Sequence, residues 1–109
     1  MVGKYEVITL CGSTRFKDDF IKAQEFLTLA GNIVISIGLF GHADNKYGHE
    51  ITEEVKEMLD DIHKRKIDMS DAILVVNRED YIGKSTASEI AYAKSTGKRV
   101  DYMYPHMKG

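Results

Sequence analysis

The chain holds one cysteine, little surplus of either charge, and no apolar run approaching the roughly 18 residues that span a bilayer. Each shortage excludes a class. A lone Cys11 cannot close an internal disulfide, so a stapled secreted scaffold is ruled out. With five Met, and with Met1-Val2-Gly3-Lys4 leading straight into a strand pattern instead of a secretory leader, the expectation is a reducing, cytoplasmic setting. A formal net charge of −2 provides no electrostatic footprint for long nucleic acid, so any nucleotide partner should be small. No membrane partner is expected. There is also no repeat, low-complexity tract or linker. The 109 residues, 43% apolar and 29% charged, predict one folded domain over 1–109 with room for a single site.

What is present is organised around Ala72 to Lys98. Five consecutive apolar residues at 72–76 predict a strand buried on both faces. A polar loop with Gly83-Lys84-Ser85-Thr86 follows, then a helix that Ser85 or Thr86 can cap, with Ala87, Ile90 and Ala91 on one side. Strand, loop and helix N-terminus in sequence aim backbone N–H groups and the positive dipole end at one spot, as anion sites in open α/β sheets do. Glu89 projects from the first turn of that predicted helix.

Upstream, Tyr5 to Cys11 reads as a first strand, and Gly12-Ser13-Thr14-Arg15 follows directly with Ser13 as an N-cap candidate. Phe16, Phe20, Ala23, Leu27 and Ala30 recur at helical spacing before Gly31-Asn32 stops the helix. Asn32 to Ile37 predicts a second strand, and 38–48, with three Gly and no periodicity, an irregular loop beside the site. From about Glu50 to Lys66, Ile51, Val55, Met58, Leu59 and Ile62 form an apolar stripe, with acids early and bases late to suit the helix dipole. Asp71 reads as a turn or cap residue at the far end of the third strand. Arg99 to Tyr104 gives a fourth strand, closed by Pro105. The fold expected is a small three-layer α/β sandwich, Rossmann-like or flavodoxin-like, with a parallel four-strand sheet in order 2-1-3-4. Its switch point lies between strands one and three, where the turns at Gly12–Arg15 and Asn77–Thr86 would converge on one ligand.

The motifs have plain alternatives. Gly83-Lys84-Ser85-Thr86 resembles the end of a P-loop, but the position five before Gly83 is Arg78, not Gly, so a wrapped triphosphate is not expected. A phosphate or sugar contact through Gly83, Ser85 and Thr86 is. Arg15 beside the positive end of a helix is unfavourable for the helix itself, a conflict that an anionic ligand removes. Thr86-Ala87-Ser88-Glu89 matches a capping box, in which Glu89 would only bond back to the cap. Beside two convergent turns the same carboxylate could instead attack an electrophilic carbon. His42, Asp44, His49 and Glu50 carry metal-capable groups at spacings that match no metal pattern, and no metal is expected.

Leu10-Cys11-Gly12-Ser13-Thr14-Arg15, Ser70-Asp71-Ala72-Ile73-Leu74-Val75-Val76, and Gly83 through Ala93 followed by Gly97-Lys98 together resemble the nucleoside 2-deoxyribosyltransferase family and the related 2′-deoxynucleoside 5′-monophosphate N-glycosidases. The resemblance covers most of the chain. It implies that Glu89 is a nucleophile toward C1′ of a deoxyribosyl group, with water or a second base resolving the glycosyl ester. Gly12, Ser13, Thr14 and Arg15 would hold a 5′-phosphate. It further implies no cofactor, a small nucleoside or nucleotide as partner, and a homodimer. Two positions differ from the family pattern. Thr9 stands where a Tyr usually orients the Glu, and His63 stands where an Asp assists the departing base. A His at that position can serve as general acid near neutral pH. The other reading of these residues is a nucleotide-binding module without catalysis, with Glu89 as cap or ribose ligand.

Overall fold

The computed structural model describes residues 3–38 and 52–106. Four parallel strands, β1 (Val7–Gly12), β2 (Ile33–Ile35), β3 (Ala72–Val76) and β4 (Arg99–Tyr102), form one sheet in the order β2-β1-β3-β4. Between them lie α1 (Lys17–Leu29), α2 (Glu53–Asp68) and α3 (Lys84–Ser95). This is the predicted architecture, and the pleat explains its layers. On β1, Ile8 and Leu10 pack with Phe20, Ala23 and Leu27 of α1, whereas Cys11 on the other face packs with Ile67 of α2 and with Ile90 and Ala93 of α3. β3 serves both cores: Ala72 and Val76 join the first, Ile73 and Val75 the second. An alternating pattern could not do this, which is why 72–76 is continuously apolar. Phe20 is fully buried, a side chain whose removal from water contributes roughly 2–3 kcal/mol.

The Gly31 stop signal acts as read, and Gly97 ends α3 in the same way. After α1, Gly31 at φ 92° lets its own N–H reach the Thr28 carbonyl and the Asn32 N–H reach that of Leu27, each at 3.0 Å. Gly97 at φ 76° repeats the device after α3, with Lys98 N–H bonded to the Ala93 carbonyl at 2.9 Å. At the end of the sheet away from the helix N-termini, Asp71 accepts a hydrogen bond from Val7 N–H at 2.8 Å and so ties β1 to β3.

Other expectations shift. α2 starts at Glu53, with the Thr52 hydroxyl accepting from Val55 N–H at 3.2 Å. Its apolar stripe does not turn inward as a whole: Met58 and Ile62 are 52% and 42% exposed, and the buried residues are His63 and Ile67. α3 begins earlier than predicted. Gly83 is its N-cap without a side-chain bond, and the Gly83 carbonyl accepts from Ala87 N–H at 2.9 Å. Ser85 and Thr86 are therefore inside the helix, not caps, and Glu89 lies in the second turn. The inward face is Thr86, Glu89, Ile90 and Ala93, whereas Ala87 and Ala91 are exposed. Apolar periodicity misplaced this face because half of it is polar.

Candidate active site

β1 ends in Gly12, at φ 147°. A Cβ there would stand 2.7 Å from the Val76 carbonyl oxygen and 3.2 Å from the Phe20 ring, so only glycine lets the turn leave the sheet this close to β3. Ser13 then caps a short 3-10 turn, Thr14–Phe16, its Oγ accepting from Arg15 N–H at 3.3 Å. From the neighbouring strand the chain passes through a second 3-10 turn, Arg78–Asp80, and enters α3. The first N–H groups of α3 have no carbonyl partner within the helix and point back toward the same place.

A cleft of about 540 Å³ opens at these carboxyl ends. The first turn gives it Gly12, Ser13 and Thr14, and α3 with its cap gives Gly83, Ser85 and Thr86. Glu89 and His63 also line it, so eight of the nine predicted site residues come together. Arg15 stands apart at the rim: its guanidinium lies 4.2 Å from the centroid of the Tyr81 ring and donates to the Tyr81 hydroxyl at 3.3 Å. The irregular loop expected beside the site at 38–48, apart from Gly38, lies outside the described residues, and so do His42, Asp44, His49 and Glu50.

Among the lining groups not anticipated, two stand out. Tyr81 is a cleft wall as well as the seat of Arg15, and Lys66 brings a cation beside His63, its Nζ donating to the Ser36 carbonyl at 2.9 Å. Below the lining is a third, Cys11. Its Sγ is 3.3 Å from His63 Nε2, and that nitrogen is 3.6 Å from Glu89 Oε1. All three residues are buried. Cys11, His63 and Glu89 come from β1, α2 and α3, far apart in sequence, and no local spacing announces them. The only available signal was the predicted strand order combined with the period of two along β1, which puts Cys11 on the α2–α3 face. Thr9, on that face two residues earlier, does not reach Glu89. Its hydroxyl donates to the Lys66 carbonyl at 3.2 Å and bonds to Ser70, holding the end of α2.

Electrostatics follow from burial. Glu89 is pushed up to about 7, chiefly by desolvation and next by the Asp60 carboxylate, against the opposing pull of Lys64 and a hydrogen bond from the Cys11 thiol. His63 is pushed down to about 4, by burial first and then by the Lys66 charge. Burial and the neighbouring Glu89 hold the Cys11 thiol well above its ordinary range. Near neutral pH burial thus favours the uncharged forms: a carboxyl that holds its proton more tightly than usual, a neutral imidazole and a protonated thiol. Burial disfavours the imidazolium that a general acid would need at His63, whose Nε2 lies 3.3 Å from Cys11 Sγ and 3.6 Å from a Glu89 oxygen. The capping-box role of Glu89 also falls, since Thr86 is the third residue inside the helix and not its cap.

No protein-family model matches the chain, and a search of curated proteins finds no match to it. Among the described residues no helix is long and apolar enough to cross a membrane.

Proposed function

We propose that the cleft binds a small nucleoside or its 5′-monophosphate and that Glu89 breaks the N-glycosidic bond through a covalent glycosyl intermediate. The observation that carries this reading is a single buried carboxylate, poised near neutrality, facing a cleft onto which two backbone turns converge. A Glu89 oxygen attacks the anomeric carbon, the bond to the base breaks with its electron pair leaving on the base, and a glycosyl ester remains. Water or a second base then displaces Glu89, giving net retention. The buried anion stabilises the oxocarbenium-like charge that builds on the sugar. His63 positions the carboxylate. Ser13, Thr14, Ser85 and Thr86 supply hydroxyl and N–H contacts to phosphate or sugar, and Arg15 leaves the Tyr81 ring to pair with the phosphate. The same reading includes a cytoplasmic setting and assembly as a homodimer.

The test is chromatographic detection of free base after incubation with nucleosides, 2′-deoxynucleosides and their 5′-monophosphates, with and without an acceptor base. Release by the wild type that falls on the order of 10³-fold or more in Glu89→Ala establishes the reaction and the nucleophile. A wild type that is thermally stabilised by a nucleotide yet releases no base would sink the catalytic reading and leave a binding module.

A further inference from the structure

We propose that Cys11, His63 and Glu89 form a binding site for one divalent cation of the zinc class, with the fourth coordination position facing the cleft. The proposal goes beyond the glycosidic reading and rests on separate observations.

The first is geometry. One donor atom from each residue lies within 4.8 Å of the other two, with Sγ to Nε2 at 3.3 Å and Nε2 to Oε1 at 3.6 Å. Ordinary zinc bond lengths in a tetrahedron put thiolate sulfur and imidazole nitrogen about 3.6 Å apart, and imidazole nitrogen and carboxylate oxygen about 3.4 Å apart. The observed spacings differ from those by only about 0.3 Å. The third pair, Sγ and the Glu89 oxygen, lies within 4.8 Å against about 3.6 Å in such a tetrahedron, so a cation enters with a shift of the Glu89 carboxylate of up to about 1 Å and little movement of the other two ligands.

The second is the donor set. Thiolate and imidazole select zinc-class ions over magnesium and calcium, which take oxygen alone. One thiolate and one carboxylate neutralise the dication. Three protein ligands with one open position is the pattern of an accessible zinc site, whereas four ligands would close it. The open side exists here, because His63 and Glu89 line the cleft while Cys11 lies beneath them.

The third is rigidity and burial. The ligands sit on β1, α2 and α3, each a regular element packed in the second core, so the site is preorganised. The three donor groups are buried side by side, so a cation bound among them is largely shielded from bulk solvent. The thiol proton departs to solvent as the sulfur–metal bond forms, and the neutral imidazole takes the tautomer that carries its proton on Nδ1 and gives the Nε2 lone pair to the metal. The bound ion occupies the Glu89 oxygen that would otherwise attack a sugar, so metal and glycosyl chemistry exclude one another at this residue.

The experiment uses the intact protein, freed of metal with a chelator and titrated with Co²⁺. Cys11 is the only cysteine in the sequence, so a thiolate-to-cobalt charge-transfer band can arise from no other residue of the chain. The expected result is that band together with intense visible transitions of a four-coordinate ion, saturating at one Co²⁺ per chain and bleached by one equivalent of Zn²⁺. Cys11→Ser removes the band; His63→Gln and Glu89→Gln each weaken Co²⁺ binding at least about tenfold. The wild-type titration decides even where a variant fails to fold: no charge-transfer band with Co²⁺ in excess overturns the site. A band unchanged in folded His63→Gln and Glu89→Gln also overturns it, since the thiol would then bind alone. None of these readouts depends on glycosidic activity, so either reading can fail without the other.

Discussion

Burial of Glu89 has a cost for folding as well as a use in chemistry. Its folded pKa of about 7 lies above the ordinary 4.5, so the group favours the folded state below about 4.5, and that contribution is lost as pH rises to about 7. Glu89→Gln removes the ionisation. In chelator-treated protein the variant should be more stable than wild type at pH 8 by up to roughly 3 kcal/mol, the gap closing toward pH 4.5. His63, whose lowered pKa works in the opposite direction, is present in both proteins and largely cancels from the difference. Denaturant titration at several pH values checks this, and a gap independent of pH would show that Glu89 is not desolvated. For the proposed reaction the same pKa predicts kcat/KM rising with pH through about 7, as the nucleophile ionises. Gly12 is the other residue whose role is fixed by geometry. Gly12→Ala should destabilise by about 3 kcal/mol, through left-handed strain and overlap with the Val76 carbonyl, as read from the urea midpoint. Glu89 and the Gly12 turn were legible because each sits in a short run of recognisable type. Cys11 was not, because its meaning depends on His63 and Glu89, which only the tertiary fold brings to it.

At the scale of elements, strands and helix stops were readable, whereas helix starts and facing were less so. Gly31 and Gly97 stop helices by backbone freedom, a local property visible in sequence. The start of α3 is different, because Ser85 and Thr86 look like caps, yet the extended backbone at Gly83 does the capping and frees both residues for the cleft. The two site turns are also clamped to one another by a network that local pattern could not show. Asp19, in the first turn of α1 and 1% exposed, accepts two hydrogen bonds from Arg78 at 2.7 and 2.8 Å and one from the Tyr104 hydroxyl at 3.1 Å. The Arg78 guanidinium holds the Asp19 carboxyl below its usual range, with Tyr104 adding to the effect. A lowered pKa contributes stability that is present above the unfolded value and is lost as pH falls through the folded one. Asp19→Asn should therefore lower the melting temperature at pH 7 by on the order of 5 °C, with the difference from wild type shrinking in acid. Because Arg78 opens the loop into α3, the variant should also raise KM for a phosphorylated substrate more than it lowers kcat.

At the scale of the whole molecule, the site exists only because the sheet order sets β1 beside β3. Residues 12–14, 63, 83–86 and 89 converge across a register that pairs Cys11 with Val75 and Gly12 with Val76. That order was legible from two strand–loop–helix units and the rule for parallel crossovers. The fate of the α2 stripe was not, since periodicity says a face is apolar and not what covers it. Met58 and Ile62, one helical turn apart, stand half exposed next to the cleft, and Leu59 and Ile62 line its wall. For the proposed homodimer the expectation is that a second copy covers this stripe, where burial would also narrow the cleft mouth and exclude water from Glu89. Sedimentation equilibrium should then give twice the 12.3 kDa chain mass for the wild type and the single-chain mass for Met58→Glu. A wild type that sediments as one chain removes the dimer from the proposal. A dimer untouched by Met58→Glu but split by Leu29→Glu moves the interface to another set of exposed apolar residues, Phe26, Leu29 and Ile33, at the end of α1 and the β2 edge.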